Sequence, residues 1–345
     1  MNTNNLFLMG AGFDRALFGP DIPLNSEVIG RLKKTFDYAP WTAHLEKYPT
    51  DDIERSLTYL DLEVKSPPAN SPMNDHLSLR WFIEQEIARY FSDFQMSSSI
   101  LNQEWTKFFA AKVLGTNDVI VNLNYTCLLE GLLDASRVWT PHGGYSQFID
   151  NGVLGVSSGS IPKNETIKNI IVYKIHGSTH FHLSNVAGKP QETIISFKIN
   201  ESLFPVSGRN INFGPGVPDR GRYVIAPSFI KFWHIQVGGM MVEALKRITS
   251  VQNLVILGCG MRLEDNFLFL MLTNFLHTGP PGGKIIVVDP TPDQVIKNIR
   301  DYSSWIWDGV EKQLVIIKRG IDLQGMQELE EKLTSRFSRR APEAL

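Results

Sequence analysis

One amide and one imidazole draw attention by their positions. Asn124, in Asn122-Leu123-Asn124-Tyr125-Thr126, follows an apolar run ending at Leu123, and His176, in Lys174-Ile175-His176-Gly177-Ser178, follows the run 170–175. An Asn amide can hold a hydroxyl or a water in fixed geometry. An imidazole can take the proton of that group at neutral pH. Three more motifs end apolar runs: Gly10-Ala11-Gly12-Phe13-Asp14, Gly258-Cys259-Gly260-Met261 and Val288-Asp289-Pro290. Glycines after a strand let the backbone approach a pyrophosphate, where the next helix N-terminus favours negative charge. A carboxylate such as Asp289 at a strand end can accept from ribose hydroxyls. The set reads as a nucleotide site containing one amide and one imidazole.

Each residue also has a plainer reading. A lone Gly-x-Gly is a tight turn, and Asp14 suits a helix start as a carboxylate beside the dipole. Asn124 fits a turn or cap. An isolated His is more often structural than catalytic, and Asp289 fits an N-cap because Thr291-Pro292 follows. His176, His180 and His182 invite a metal reading. On a strand 180 and 182 share a face, 176 lies across a glycine, and no carboxylate is near in sequence, so no metal is assigned. What separates the functional reading from the plain one is shared position. All five motifs end predicted strands, and the carboxyl ends of parallel strands line the crevice of an open α/β sheet.

The elements that must position these motifs are legible as alternation. Leu6–Met9 is a first buried strand, and strand signals resume at 118–123. Apolar runs at 170–175, 223–226, 253–257, 284–288 and 313–317 read as further parallel strands, with helical segments at 229–249, 262–277, 292–300 and 324–339. Alternating strands and helices predict a Rossmann-like α/β fold, a mainly parallel sheet flanked by helices. Residues 26–115 differ. Leu79, Phe82, Ile83, Ile87, Tyr90, Phe91 and Phe94 recur at three and four residues, one face of a helix. The reading is an α/β domain of 1–25 and 116–345 with a helical insert at 26–115. The stretches 141–165 and 184–222, rich in Gly, Ser, Asn and Pro, read as long loops over the site.

The bulk composition excludes several classes. A chain of 345 residues that is 43% hydrophobic can bury a large core, and a net charge of -2 gives no basic signature of nucleic-acid binding. Its 2 cysteines, Cys127 and Cys259, show no disulfide or zinc spacing. With no signal segment and no spanning apolar stretch, a cytoplasmic, membrane-free protein is expected.

Taken in order, the motifs resemble the sirtuin-like superfamily, in particular the NAD-cleaving proteins of bacterial antiphage defence and their abortive-infection H relatives. GAGFD resembles the phosphate loop, NLNYT is similar to a Thr-x-Asn-Tyr-Asp motif, and KIHGS to Leu-His-Gly-Ser. Ala226-Pro227-Ser228-Phe229-Ile230-Lys231 is similar to a Pro-Pro-x-x-x-Lys segment, and GCGMRLED to Gly-Tyr-Ser-Leu-x-x-x-Asp, aligning Gly258 and Asp265. The resemblance spans residues 5 to about 290. It implies catalytic roles for Asn124 and His176, and NAD contacts for Gly10, Ala11, Gly12, Phe13, Asp14, Gly258, Cys259, Gly260 and Asp289. Three departures stand out: Thr126 replaces an Asp, Gly260 replaces a Ser, and the zinc ribbon of protein deacylases is missing.

The implied activity is hydrolysis of NAD, the substrate, to nicotinamide and ADP-ribose without a metal, draining NAD during abortive infection. Two rival readings are an NAD-dependent protein deacylase and a non-catalytic sensor of NAD or ADP-ribose. Such an enzyme is expected to be restrained, as a homo-oligomer or by a separate activator such as an ATPase subunit.

Overall fold

The computed structural model describes residues 4–35, 37–50, 52–65, 73–145, 168–186, 189–197, 203–206, 219–226, 228 and 235–335. The chain opens with β1 (Asn5–Met9) and α1 (Ala11–Phe18). Helices follow: α2 (Asn25–Thr35), α3 (Ala39–Lys47), α4 (Ile53–Lys65), α5 (Met73–Ser92), α6 (Ser98–Leu101) and α7 (Glu104–Phe108), the last continuing as a π-helical turn over Phe109–Val113. Then come β2 (Val119–Asn122), α8 (Leu128–Ala135), α9 (Pro141–Gly144) and β3 (Ile171–Tyr173). A hairpin region of β4 (Gly177–Val186), β5 (Lys189–Phe197) and β6 (Asp219–Val224) precedes α10 (Ile235–Arg247). The chain finishes with β7 (Asn253–Leu257), α11 (Asn266–Thr278), β8 (Lys284–Val288), α12 (Pro292–Tyr302), α13 (Ser304–Glu311), β9 (Leu314–Ile317) and α14 (Leu323–Thr334).

Six strands form one parallel sheet in the order β3-β2-β1-β7-β8-β9. The chain lays down β1, β2 and β3 in one direction, returns, and continues from β7 to β9 in the other. The order therefore reverses between β1 and β7, the topological switch point where such sheets bind ligands. The central strands read as near-continuous apolar runs because both their faces are covered. Leu6, Phe7, Leu8 and Met9 are each 0% exposed. Register runs Leu8↔Ile256 on one side of β1 and Leu8↔Val121 on the other, so the ends of β1, β2 and β7 finish level. Level ends bring Gly10, Leu123 and Gly258 to one rim.

The expectation for 184–222 and 223–226 needs correcting. β4, β5 and β6 form a separate antiparallel sheet in the order β5-β4-β6, not loops plus another parallel strand. His180 through Leu183 alternates polar and apolar, the period of a strand. β4 and β5 are joined by only 187–188, and so short a link permits only an antiparallel pair. A further helix, α13, was not expected. The loop reading of 141–165 falls on described residues only at α9 and Tyr145; 146–167 lies outside them, as do 229–231 of the Pro-Pro-x-x-x-Lys-like segment and the tail from 336.

Residues 25–113 are helical wherever regular structure is described. They do not pack as one block. α5 lies on the antiparallel sheet, where the Gln85 amide brackets Arg222, donating to its carbonyl at 2.9 Å and accepting from its N–H at 3.0 Å. That amide stands in for a neighbouring strand at the edge of β6. α7 and the π-helical turn instead pack beneath α1, with the Phe13 ring edge-on to Trp105 at 5.8 Å and 5.4 Å from Phe109. Among the described residues no helix is long and apolar enough to cross a membrane.

Candidate functional site

The rim at the switch point is built from two glycine turns pressed backbone to backbone. Gly12 N–H donates to the Gly258 carbonyl at 2.9 Å, and Gly10 N–H to the Leu257 carbonyl at 3.4 Å. A Cβ on Gly12 would fall 2.9 Å from the Gly258 Cα, and one on Gly258, whose φ is +57°, would fall 2.5 Å from the Phe13 nitrogen. Neither position admits a side chain. Phe13 N–H is also spent, on the Gly10 carbonyl at 2.9 Å. Among the described residues of this turn, the Ala11 N–H at the start of α1 is left without a partner. The Phe13 ring is 0% exposed, so its side chain packs the loop onto the core.

Asn124 is anchored at every polar atom but one. Its N–H donates to Asn122 Oδ1 at 3.0 Å. Its side-chain nitrogen donates to the Gly10 carbonyl at 3.0 Å and to Asp14 Oδ1 at 2.8 Å. Its carbonyl accepts from the Lys174 ammonium, which also bonds the Thr126 carbonyl at 2.7 Å. Lys174 is fully buried and lies 3.1 Å from Glu130 Oε1. Thr126, where the resembled motif has Asp, donates its hydroxyl to Asp14 Oδ2. Asp14 is 3% exposed, and burial pushes its carboxyl up to about 7 against the lowering effect of Thr126, Lys174 and Asn124.

His176 sits on the next loop with its Nε2 3.2 Å from Asp265 Oδ1, both side chains 12% exposed. Asp265 precedes α11, at the end of the loop that starts with Gly258. Gly177 makes the turn after His176. Its φ is +73°, and a Cβ there would fall 2.4 Å from the Tyr223 carbonyl oxygen. The Asn124 and His176 segments are stitched together. Tyr125 carbonyl accepts from Thr179 N–H at 2.8 Å and from the Ser178 hydroxyl at 3.2 Å, and the Tyr125 ring lies 6.4 Å from that of His176. The motif loops thus close into a circuit: the 10–14 turn to Gly258, the 258–265 loop to His176, His176's segment to Tyr125, and Asn124 back to Gly10 and Asp14.

His180 belongs elsewhere. Its Nδ1 lies 2.8 Å from both Cys127 Sγ and Ser178 Oγ, and its Nε2 2.8 Å from the Tyr145 hydroxyl. Burial pushes the Cys127 thiol up to about 12 and the imidazole well below its usual value. A neutral thiol beside a neutral imidazole is a packing pair, not an activated nucleophile.

The remaining sequence candidates are spread around the rim. Asp289, at the end of β8, accepts from Thr291 N–H at 2.7 Å and Thr291 hydroxyl at 3.1 Å through Oδ1, a local turn role. The Cys259 side chain is in the core, its thiol pushed up to about 11 by burial. Gly260 is exposed, and a Cβ there would meet nothing nearer than Arg262 Cγ at 3.9 Å. Reading the residues did not find the partners: Asp14 for Asn124, Asp265 for His176, and the Lys174–Glu130 pair. Asp14 and Asp265 did leave a trace, as the acidic ends of the GAGFD and GCGMRLED motifs, but not as partners of Asn124 and His176. Arg262 in that motif reaches Glu54 at 3.2 Å and Asp52 at 3.4 Å, tying the loop to the start of α4.

No protein-family model matches the chain, and no curated protein does. Among solved structures it is similar to a Sir2 homologue mutant in complex with 2′-O-acetyl ADP ribose, at 10% identity and a TM-score of 0.40 over 98% of this chain and 96% of that one. It is also similar to a Sir2 enzyme solved for mechanism and regulation, at 13% identity and a TM-score of 0.36 over 96% and 93% of the two chains. A structure addressing sirtuin substrate affinity follows at 11% identity and a TM-score of 0.37, over 96% and 94%. At such scores the hydrogen-bonded strand order of this chain, not the likeness, defines its fold.

Proposed function

We propose that this protein cleaves the nicotinamide–ribose bond of NAD, releasing nicotinamide and ADP-ribose. The observation that carries the reading is the closed circuit of motif loops at the switch point. It draws Asn124 and His176 toward one rim beside a glycine turn and a helix N-terminus that favour a pyrophosphate.

Nicotinamide leaves readily because it departs neutral from a pyridinium. The protein must hold the ribose and supply water to the electron-poor anomeric carbon. In this reading Asn124 fixes a ribose hydroxyl or the water. His176 accepts the proton that water loses as its oxygen bonds the anomeric carbon and the C–N bond breaks. Asp265 orients the ring and steadies the imidazolium, a carboxylate behind a general base. The Ala11 N–H and the start of α1 face the phosphates. Gly260 leaves room where a Ser would stand, and Asp289 lies on the adenosine side.

In a cell the reaction drains NAD, the chemistry of an abortive antiphage response. Restraint by oligomerisation or by a separate activating subunit fits such an enzyme. The test is nicotinamide release from NAD alone, over a range of protein concentrations and with lysate added. Release without peptide supports the hydrolase. Peptide-dependent release points to a deacylase, and ADP-ribose binding without turnover to a sensor.

A further inference from the structure

We propose that Asp14 is the positioning residue of the site: it locks the Asn124 amide so that Oδ1 faces the cleft as a fixed hydrogen-bond acceptor. Which end of an amide faces which neighbour is decided by the neighbours. Those of Asn124 are the Gly10 carbonyl and a carboxylate oxygen, both acceptors, at 3.0 and 2.8 Å. Nδ2 must face them, and both its hydrogens are used. The Lys174 ammonium and Asn122 Oδ1 hold the backbone of the same residue. Oδ1 is the polar atom of Asn124 that takes no partner among the described residues.

Asp14 itself has nothing left to offer a ligand. Oδ1 serves Asn124, Oδ2 serves Thr126, and the side chain is buried. Thr126 in turn accepts from Leu128 N–H at 3.3 Å, so the carboxylate is braced against the first turn of α8. Asp14 therefore acts through Asn124. The consequence is a selection rule. The cleft receives a hydrogen-bond donor at this point, a hydroxyl group, and rejects a carbonyl or phosphate oxygen there. Taking that donor to be a ribose hydroxyl rests on the NAD reading; the locking of the amide does not.

The test is a cycle of Asp14→Ala and Asp14→Asn, each alone and with Asn124→Ala, read by nicotinamide release and by calorimetric binding of ADP-ribose. Asp14→Ala frees the amide to turn, and turnover falls about a hundredfold. Asp14→Asn keeps an acceptor for Asn124, while its amide nitrogen turns the Thr126 hydroxyl from donor to acceptor, and it stays within about fivefold of the wild type. With Asn124→Ala already present, neither change costs more, because the two residues act as one unit. A folded Asp14→Ala protein with wild-type turnover and ADP-ribose affinity overturns the proposal. So does an equal further loss on the Asn124→Ala background, or an Asp14→Asn as damaged as Asp14→Ala.

A ligand-free measurement separates this proposal from the NAD reading and covers an Asp14→Ala that fails to fold. In wild-type protein the Asn124 side-chain amide protons should exchange slowly and shift as Asp14 titrates, with Lys174 and Glu130 the charged groups facing it. In Asp14→Asn the titration should vanish while slow exchange remains. Fast-exchanging wild-type amide protons overturn the locking. Slow, titrating protons in a protein that releases no nicotinamide would leave the locking in place and remove the hydrolase.

Discussion

The two ends of the parallel sheet carry the same pair of residue types and use them oppositely. At the amino end Asp118 accepts from Asn5 N–H at 2.7 Å, Asn5 Nδ2 at 3.2 Å and Gly115 N–H at 2.7 Å. Asn5 Oδ1 then accepts from Asn253 Nδ2 at 2.8 Å, bridging β1 to β7. Both amide ends of Asn5 are bonded, and the network closes on itself. At the carboxyl end Asp14 holds Asn124 in the same manner, but Asn124 Oδ1 is left over. Burial raises both carboxyls, Asp118 to about 6 and Asp14 to about 7. An Asp–Asn pair, or a perturbed carboxyl, therefore does not mark a site. What sets the two pairs apart is the unspent Asn124 Oδ1 at the switch point, and the proposed reading rests on it.

Substitution can break this contrast. His176→Ala and Asn124→Ala should each cut nicotinamide release by about a hundredfold or more, with thermal unfolding little changed, because under the proposed reading each removes a group that touches the substrate. Undiminished release in His176→Ala would end its assignment as the base. Asp118→Ala should do the reverse. It strands buried donors at Asn5 and Gly115 and should cost about 2 kcal/mol in denaturant unfolding, with turnover per folded molecule unchanged. Lost turnover at full stability would mean that the amino end is not merely structural.

Under the proposed reading Asp265→Ala should lower kcat by about tenfold with KM nearly constant, since it would leave the His176 imidazole unoriented without removing a substrate contact. A change confined to KM would make Asp265 a ligand contact instead.

The pH dependence of stability offers a finer test. A carboxyl raised on folding gives its full stabilisation below the unfolded value and loses it as pH rises through the raised value. Asp14 and Asp118 rise from 3.8 to about 7 and about 6, so stability should fall as pH climbs from about 4 to about 7. Asp14→Asn should flatten the part between about pH 6 and 7. The same slope in that variant would assign it to another group. The smallest effect is expected of Gly260→Ser. The position is open, so folding and turnover should stay within about twofold of wild type. A large change would place Gly260 against the ligand.

Much of this was legible in the chain. The runs ending at Met9, Leu257 and Val288 are continuous and apolar because both faces of a parallel strand are buried, and helices between them force parallel pairing. The glycines at 10, 12 and 258 announced a close approach. The antiparallel sheet was hidden because polar residues such as His180 and His182 occupy strand positions, and loop-forming residues surround them. His180 itself, which looked like a companion of His176, is held by Cys127, Ser178 and Tyr145 away from the Asp265 dyad.

By itself the sequence determined the alternation of elements, the strand ends that carry polar and glycine residues, and the order in which they appear. Those follow from local periodicity and turn chemistry, which act over a few residues. Tertiary structure alone decided the partners. Asp14 lies 110 positions from Asn124, and His176 lies 89 from Asp265. No local pattern encodes such distances. Register between β1, β2 and β7 brings the loops level, and only then can a carboxylate spend both its oxygens on neighbours and leave one amide oxygen open.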